Sequence, residues 1–228
     1  MNWESLNEEI TKCKKCPRLV NWREEIAETK RKAYLDLTYW GKPVPGFGDR
    51  NAQILVLGLA PGAHGSNRTG RMFTGDASGD FLFPALYKAG FCNQPDSESR
   101  NDGLELYNIF ISAICRCAPP QNRPNREEKA NCWPYLKEEV LMLGNLKGIV
   151  ALGQMAFKSG LIILNNLFKQ ENKEKPKFGH GAFYQQSPQD VWMLSSYHPS
   201  RQNTQTGRLK QIMFDEIWER ARELVNQK

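Results

Sequence analysis

The feature that most restricts the fold of this sequence is a set of short apolar runs separated by longer stretches of helical periodicity. The runs cover residues 53–58, 107–115, 147–153 and 191–197. Each is rich in Ile, Leu, Val or aromatic residues, as a strand covered on both faces requires. The helical patterns cover residues 79–89, 126–142, 155–168 and 207–225. This alternation predicts a three-layer α/β/α sandwich with a central, mainly parallel four-stranded sheet.

Two further helical patterns, residues 3–12 and 20–32, precede the first predicted strand. A length of 228 residues suits one compact domain, and we expect residues 1–228 to form it. Ligands of open α/β sheets bind outside the carboxyl ends of the strands. We therefore expect the functional site in segments that follow strands, chiefly residues 59–76, 116–125 and 198–207.

The cysteines are unevenly spaced, which favours metal binding over a disulfide framework. Cys13 and Cys16 are separated by two residues, so both sulfurs can bind one metal or cluster. Cys117 and Cys132 offer a second pair, with Cys115 as a competitor for Cys117. We favour Cys117 because it begins a loop and is freer to turn. The residues alone leave both zinc and a four-iron cluster open.

The segment after the first strand is rich in glycine, which exposes backbone N–H groups to a ligand. Arg68 and Arg71 supply positive charge for phosphate, and Phe73 offers a flat face for a base. The order of residues matches neither of the common nucleotide-binding motifs, GxxxxGK[ST] and GxGxxG. Asp76 is a candidate helix cap, and capping does not exclude a role in catalysis.

The segment after the last strand begins with His198. A histidine at a strand end points into the crevice, where its ring can donate to a developing anion. Polar residues come next, including Ser200, Arg201, Gln202 and Asn203. Such side chains can contact a phosphate backbone and fill a gap in a base stack.

The net charge of +6 and the pI of about 9.0 favour a polyanionic partner without identifying one. No apolar run approaches the roughly 18 to 20 residues that span a bilayer. The first residues are partly acidic and contain no apolar signal core. We expect a cytoplasmic monomer that does not associate with membranes.

Together these segments resemble the uracil-DNA glycosylase superfamily, and most closely its iron–sulfur families 4 and 5. GLAPGAHGSNRTGRMFTGDASG is similar to the first motif of family 5, the B-type enzymes, and HPSRQNTQTGRL is similar to the second. CKKCPRLV and RCAPPQNRP, with a later NC, resemble the segments that bind the cluster. The resemblance covers about residues 12–210. It implies a structural [4Fe-4S] cluster held by Cys13, Cys16, Cys117 and Cys132.

The resemblance also implies an enzyme that flips uracil out of DNA, hydrolyses its glycosidic bond and leaves an abasic site. In other superfamily members an ionisable or amide group positions the water, and residues 59–62 lack such a group. The A-type enzymes also carry an asparagine that reads uracil, where this chain has Ser112 and Ala113. Both departures match the B-type pattern and imply looser selectivity. DNA with hypoxanthine, xanthine or 5-hydroxymethyluracil is then a further expected partner.

We expect His198 to stabilise the departing base and Asp76 to orient water, with Asn122 as a second candidate for positioning water or base. The flipped base is expected to pack on Phe73 beside Gly62 and Ala63. Phosphates are expected to contact Arg68, Arg71 and Arg201, while residues 201–203 fill the vacated stack.

Two alternatives remain at this stage. One is a non-catalytic iron–sulfur or zinc protein that binds nucleic acid. The other is a doubly wound enzyme that acts on free nucleotides, against which the missing phosphate-loop lysine counts.

Overall fold

The computed structural model describes residues 2–170 and 176–226. The described helices are α1 Trp3–Lys12, α2 Pro17–Thr29, α3 Ser66–Thr69, α4 Gly79–Lys88, α5 Arg126–Met142, α6 Gln154–Phe168, α7 Arg201–Gln205 and α8 Gln211–Asn226. The strands are β1 Phe47–Gly48, β2 Ile54–Gly58, β3 Ile109–Ala113, β4 Gly148–Leu152, β5 Phe183–Tyr184 and β6 Trp192–Ser196.

The strands form one sheet in the order β1-β3-β2-β4-β6-β5. The four inner strands are parallel, and they are the four that the apolar runs predict. β1 and β5 pair antiparallel at the two edges, so the sheet has six strands rather than four. Each edge strand is two residues long and leaves no periodic signal in the sequence. The predicted α/β/α class is confirmed.

Both faces of the sheet are covered, which explains why the inner strands are mainly apolar. In β2, Ile54 and Val56 belong to the core cluster that includes residues of α4 and α8. Leu55 and Leu57 belong to the cluster that includes residues of α5 and α6. All five residues of each inner strand are buried.

The helix boundaries differ from the prediction where proline and glycine act. α2 begins at Pro17, which suits the first turn because that position needs no N–H donor. It ends at Thr29, so the following residues leave the helix earlier than predicted. α8 begins at Gln211 rather than at 207, because Gly207 adopts a positive φ of 71°.

The position of β2 determines where a ligand can bind. β3 lies on one side of β2 and β4 on the other, so the chain changes direction there and opens a crevice at the carboxyl ends. The loops after β2, β3 and β6 meet at this edge. In the described part of the chain, no helix combines the length and apolar character needed to cross a membrane.

Candidate functional site

A cavity of about 740 Å³ lies at this edge of the sheet, within the range of roughly 300–1,000 Å³ that is usual for ligand sites. It is lined by the loops that follow β2, β3 and β6. The predicted site residues that line it are Gly62, Ala63, Phe73, Asp76, Asn122, His198, Ser200, Arg201 and Gln202.

Two aromatic rings face each other in the cavity. The Phe73 and His198 ring centroids are 5.9 Å apart, at an interplanar angle of 30°. Phe73 has a φ of 52°, and its backbone N–H donates to Ser66 Oγ at 3.0 Å. A Cβ on Gly58 would lie 3.0 Å from the Phe73 ring, so a larger residue at the end of β2 would crowd this ring. The rings provide a flat apolar wall.

His198 follows β6 and is held by its own backbone. Its carbonyl accepts from the Ser200 N–H at 2.8 Å and from Asn203 Nδ2 at 2.9 Å. Burial lowers the pKa of His198 to about 4, so the imidazole is neutral at physiological pH. A neutral imidazole carries one N–H donor, and in the described chain no residue hydrogen-bonds to either ring nitrogen.

Asp76 divides its two carboxylate oxygens between two environments. Oδ1 accepts from the backbone N–H groups of Ser78 and Gly79, at 2.9 and 3.2 Å, at the start of α4. Oδ2 faces the turn at Gly62 and Gly65 and lines the cavity. Burial raises the pKa of Asp76, against the effect of the two N–H groups. The capping role is confirmed, and it leaves one oxygen for a ligand or water.

Asn122 lies in the loop after β3, at the end of a 3₁₀ turn, Pro120–Asn122. It and Gln121 have positive φ values of 55° and 54°. Asparagine tolerates this left-handed conformation better than most residues. The side chain is exposed at the cavity, on a different loop from both Asp76 and His198.

Arg71 does not reach the cavity, which corrects its predicted contact with phosphate. Its guanidinium forms two bonds to Asp102, at 2.6 and 2.8 Å, and further bonds to Thr74 and Ser97. The side chain is 7% exposed. Asp102 in turn accepts backbone N–H groups, including that of Glu98, so this arginine fixes a neighbouring loop.

Arg68 and Asn203 also lie outside the cavity lining. Arg68 donates to the carbonyl oxygens of His64 and Gly75, at 2.8 and 2.7 Å. Asn203 donates to the carbonyl of His198. Both side chains therefore hydrogen-bond to backbone of the cavity's loops instead of lining the cavity, and their contact with DNA stays a prediction.

Sequence reasoning missed part of the cavity wall. Arg31, Tyr34 and His64 line it. Residues 31 and 34 follow α2 directly, in a stretch that the pattern of residues 20–32 partly assigned to the helix. His64 is an isolated histidine in a glycine-rich loop, so its sequence context carries no signal of its position.

The four predicted cysteine ligands line one small cavity together: Cys13, Cys16, Cys117 and Cys132. Cys115 does not line it and is fully buried in the core beside Cys132. Cys92 lies in the opposite core layer, where burial raises its pKa to about 11. In the described residues no three metal-binding side chains are grouped so as to hold a single metal ion.

A buried arginine faces these sulfurs. Arg23 is 2% exposed, and its Nη1 donates to Cys117 Sγ at 3.0 Å. Its Nε has no partner in the described structure, and its ion pair, with Glu24, is long at 3.4 Å. A buried guanidinium requires compensating negative charge. The donor set and this charge therefore fit an anionic group ligated by thiolates.

The chain belongs to the uracil DNA glycosylase superfamily, whose family model matches residues 45–222. It is 47% identical to the type-5 uracil-DNA glycosylase of Thermus thermophilus, over 99% of both chains. It is 48% identical to a type-5 enzyme of Mycobacterium bovis, over 96% of this chain and 81% of that protein. A type-4 uracil-DNA glycosylase of Pyrobaculum aerophilum is 30% identical, over 88% of this chain and 84% of that one. These identities place the chain in the type-5 branch.

Proposed function

We propose that this protein is a DNA-repair glycosylase that hydrolyses the bond between uracil and deoxyribose and leaves an abasic site. The names of its type-5 relatives support the activity on uracil. The observation that carries the proposal is a cavity in which Phe73 and Asp76, from the segment after β2, meet His198, from the segment after β6. An aromatic wall, a carboxylate and a neutral imidazole are the groups that this reaction needs.

A base within a duplex is inaccessible, so the nucleotide must rotate into the cavity. The flipped base packs on Phe73, beside the backbone of Gly62 and Ala63. Arg201 begins α7 and is exposed, so it can contact phosphate while Gln202 fills the vacated stack. Ser200 lines the same rim.

Cleavage of the glycosidic bond develops positive charge on the sugar and negative charge on the departing base. The N–H of the neutral His198 ring donates to a base oxygen and stabilises this anion. Removal of one such donor costs about 2.7–4 kcal/mol in activation free energy. The electrons of the broken bond leave with the base.

The attacking water is positioned from the opposite loop. Asp76 Oδ2 accepts a hydrogen bond from the water and stabilises the sugar cation, while its Oδ1 remains bound at the start of α4. The water oxygen forms the new bond to the sugar, and its proton passes to the carboxylate. Asn122, on a third loop of the cavity, assists in positioning the water or base.

The cavity supports a wider choice of base than uracil alone. Ser112 is fully buried and donates to Glu139 Oε2 at 2.6 Å, so it cannot read a base. Residues 59–62 present no ionisable side chain. Few side chains are therefore placed to recognise the hydrogen-bonding edge of uracil alone. We include hypoxanthine, xanthine and 5-hydroxymethyluracil among the proposed substrates.

The four cysteines at the second cavity are proposed to hold a structural [4Fe-4S] cluster, since their thiolates and the buried Arg23 suit an anionic centre. Such a cluster would crosslink the turn between α1 and α2 to α5 and the loop after β3. We further propose that residues 1–228 act as one domain and as a cytoplasmic monomer.

A labelled duplex with a single uracil tests the activity. The protein is incubated with it, and alkali then cleaves any abasic site. We expect strand cleavage, and none on the matched duplex with thymine. Binding of both duplexes without cleavage of the uracil strand would instead favour the non-catalytic alternative.

A further inference from the structure

His64 is held by a buried tyrosine although neither residue belongs to the predicted site. Tyr39 is 8% exposed, and its hydroxyl lies 3.1 Å from His64 Nδ1. A phenol O–H is a stronger donor than the N–H of a neutral imidazole, and an imidazole nitrogen is a stronger acceptor than a phenol oxygen. The tyrosine therefore donates its proton to Nδ1 of His64.

This arrangement selects one tautomer of His64. Burial and two nearby arginines lower the pKa of His64, so its ring is neutral. Nδ1 accepts the Tyr39 proton, and the proton of a neutral imidazole must then reside on Nε2. In the described residues nothing bonds to Nε2, and the ring lines the cavity. The cavity wall therefore presents a fixed N–H donor.

The charges around this donor are positive. Arg31 and Arg68 are the side chains whose charge acts on His64. Arg31 is exposed and lines the same cavity, so it lies towards the rim. Arg68 is held by the carbonyls of His64 and Gly75 and lies over the Tyr34 ring at 4.2 Å. A donor beside two guanidinium groups suits an anionic oxygen better than a neutral base edge.

We propose that His64 and Arg31 bind one phosphate of the DNA strand next to the flipped nucleotide, and that Tyr39 is a positioning residue for His64. This inference rests on the proposed glycosylase function and adds a binding site to it. The subsite lies on the loop after β2 and the segment after α2, whereas Arg201 begins α7, so the two proposed phosphate contacts come from different elements around one cavity.

Neutralised phosphates test this directly. We measure Kd for duplexes with a non-hydrolysable uracil nucleotide, in which a methylphosphonate replaces each phosphate within two positions of it in turn. For the all-phosphate duplex, His64→Phe is expected to weaken binding about 10- to 100-fold, the usual effect of one bond to a charged group. At one position, the methylphosphonate should weaken wild-type binding and reduce the effect of His64→Phe to within about twofold.

An equal effect of His64→Phe at every position would overturn the proposal, because His64 would then contact the base or sugar. His64→Gln retains an N–H donor and should bind better than His64→Phe, which separates loss of the donor from loss of folding. A thermal melt of each variant checks its fold.

Tyr39→Phe removes the hydrogen bond that fixes the His64 tautomer. It should raise Kd by a smaller factor than His64→Phe does and leave the cleavage rate at saturating enzyme unchanged. Tyr107→Phe, at an exposed tyrosine outside the cavity, is the matched control. The Tyr39→Phe effect must vanish on the same methylphosphonate duplex; its persistence there would assign Tyr39 a structural role only. Cleavage of the uracil duplex by the wild-type protein tests the glycosylase proposal separately. Failure of the phosphate subsite can therefore be distinguished from failure of the proposed activity.

Discussion

Replacement of Gly65 by alanine tests whether the free oxygen of Asp76 has the role proposed for it. A Cβ at position 65 would lie 1.8 Å from Asp76 Oδ2, 2.5 Å from Cγ and 2.7 Å from Cβ. Non-bonded heavy atoms need about 3.5 Å, so the carboxylate must recede by roughly 1.7 Å. A displacement of about 1 Å at a reacting group can cost a hundredfold in rate, and we expect at least that loss.

The same movement weakens the bonds that Oδ1 accepts from Ser78 and Gly79. Loss of such a cap costs about 0.5–2 kcal/mol, and for a chain of this size each kcal/mol lowers Tm by about 2–4 °C. We therefore expect Gly65→Ala to lower Tm by about 1–8 °C while the protein remains folded at 25 °C. Gly144→Ala is the control, because nothing lies within 4 Å of a Cβ there.

The assay is single-turnover cleavage of a uracil duplex at saturating enzyme. Asp76→Asn should retain the cap through its amide oxygen and lose the rate, whereas Asp76→Ala should lose both. The double variant Gly65→Ala/Asp76→Ala should react no more slowly than Asp76→Ala alone, since both changes act through one carboxylate. A folded Gly65→Ala protein that cleaves at the wild-type rate would refute the role of Asp76.

Four other predictions concern His198, the cysteines and two arginines. His198→Ala should slow cleavage by about a hundred- to a thousandfold with Kd for the duplex unchanged, and a loss of binding would instead assign the ring a structural role. Because burial lowers the pKa of His198 to about 4, its contribution to the free energy of unfolding is fully present above about pH 6.5 and is lost as pH falls towards 4, so His198→Gln should reduce the acid-side decline in pH-dependent denaturant titrations. Cys13→Ser should reduce the bound iron, sulfide and visible absorption of purified protein, whereas Cys115→Ser should leave all three unchanged. Arg71→Met should lower Tm without altering the salt dependence of DNA binding, while Arg201→Ala should reduce the slope of log Kd against log salt by about one phosphate contact and leave Tm unchanged.

The strands and their loops could be predicted from sequence because each inner strand is mainly apolar and is buried over its whole length. That pattern requires cover on both faces and therefore places the following loops at one edge. The two-residue strand at Phe47 could not be found, because its pairing with β3 depends on tertiary contacts alone. The same holds for the end of α2 at Thr29, after which Arg31 and Tyr34 turn towards the cavity.

Individual arginines were harder to predict than the loops that carry them. Arg71 and Arg201 look alike in sequence, since each follows a strand in a polar segment. Only the fold shows that Asp102, 31 residues from Arg71, holds its guanidinium away from the cavity. The local sequence likewise gives no sign of the proposed role of His64. Its ring nitrogen Nδ1 is bound by Tyr39, which lies 25 residues earlier in the chain.

The arrangement of the cysteines explains how a structural cluster can matter to a distant reaction. Cys117 and Cys132 stand at the two ends of a 14-residue segment, and Asn122 lies within it at the cavity. Arg116 adjoins Cys117, and Glu139 lies beyond Cys132 on α5; both are buried, and their ion pair at 2.7 Å joins the two flanks of the segment. On the proposed ligand set, the cluster closes this loop and removes freedom that Asn122 would otherwise have. On that proposal, the backbone of this one loop couples the cysteine cavity to the proposed nucleobase cavity.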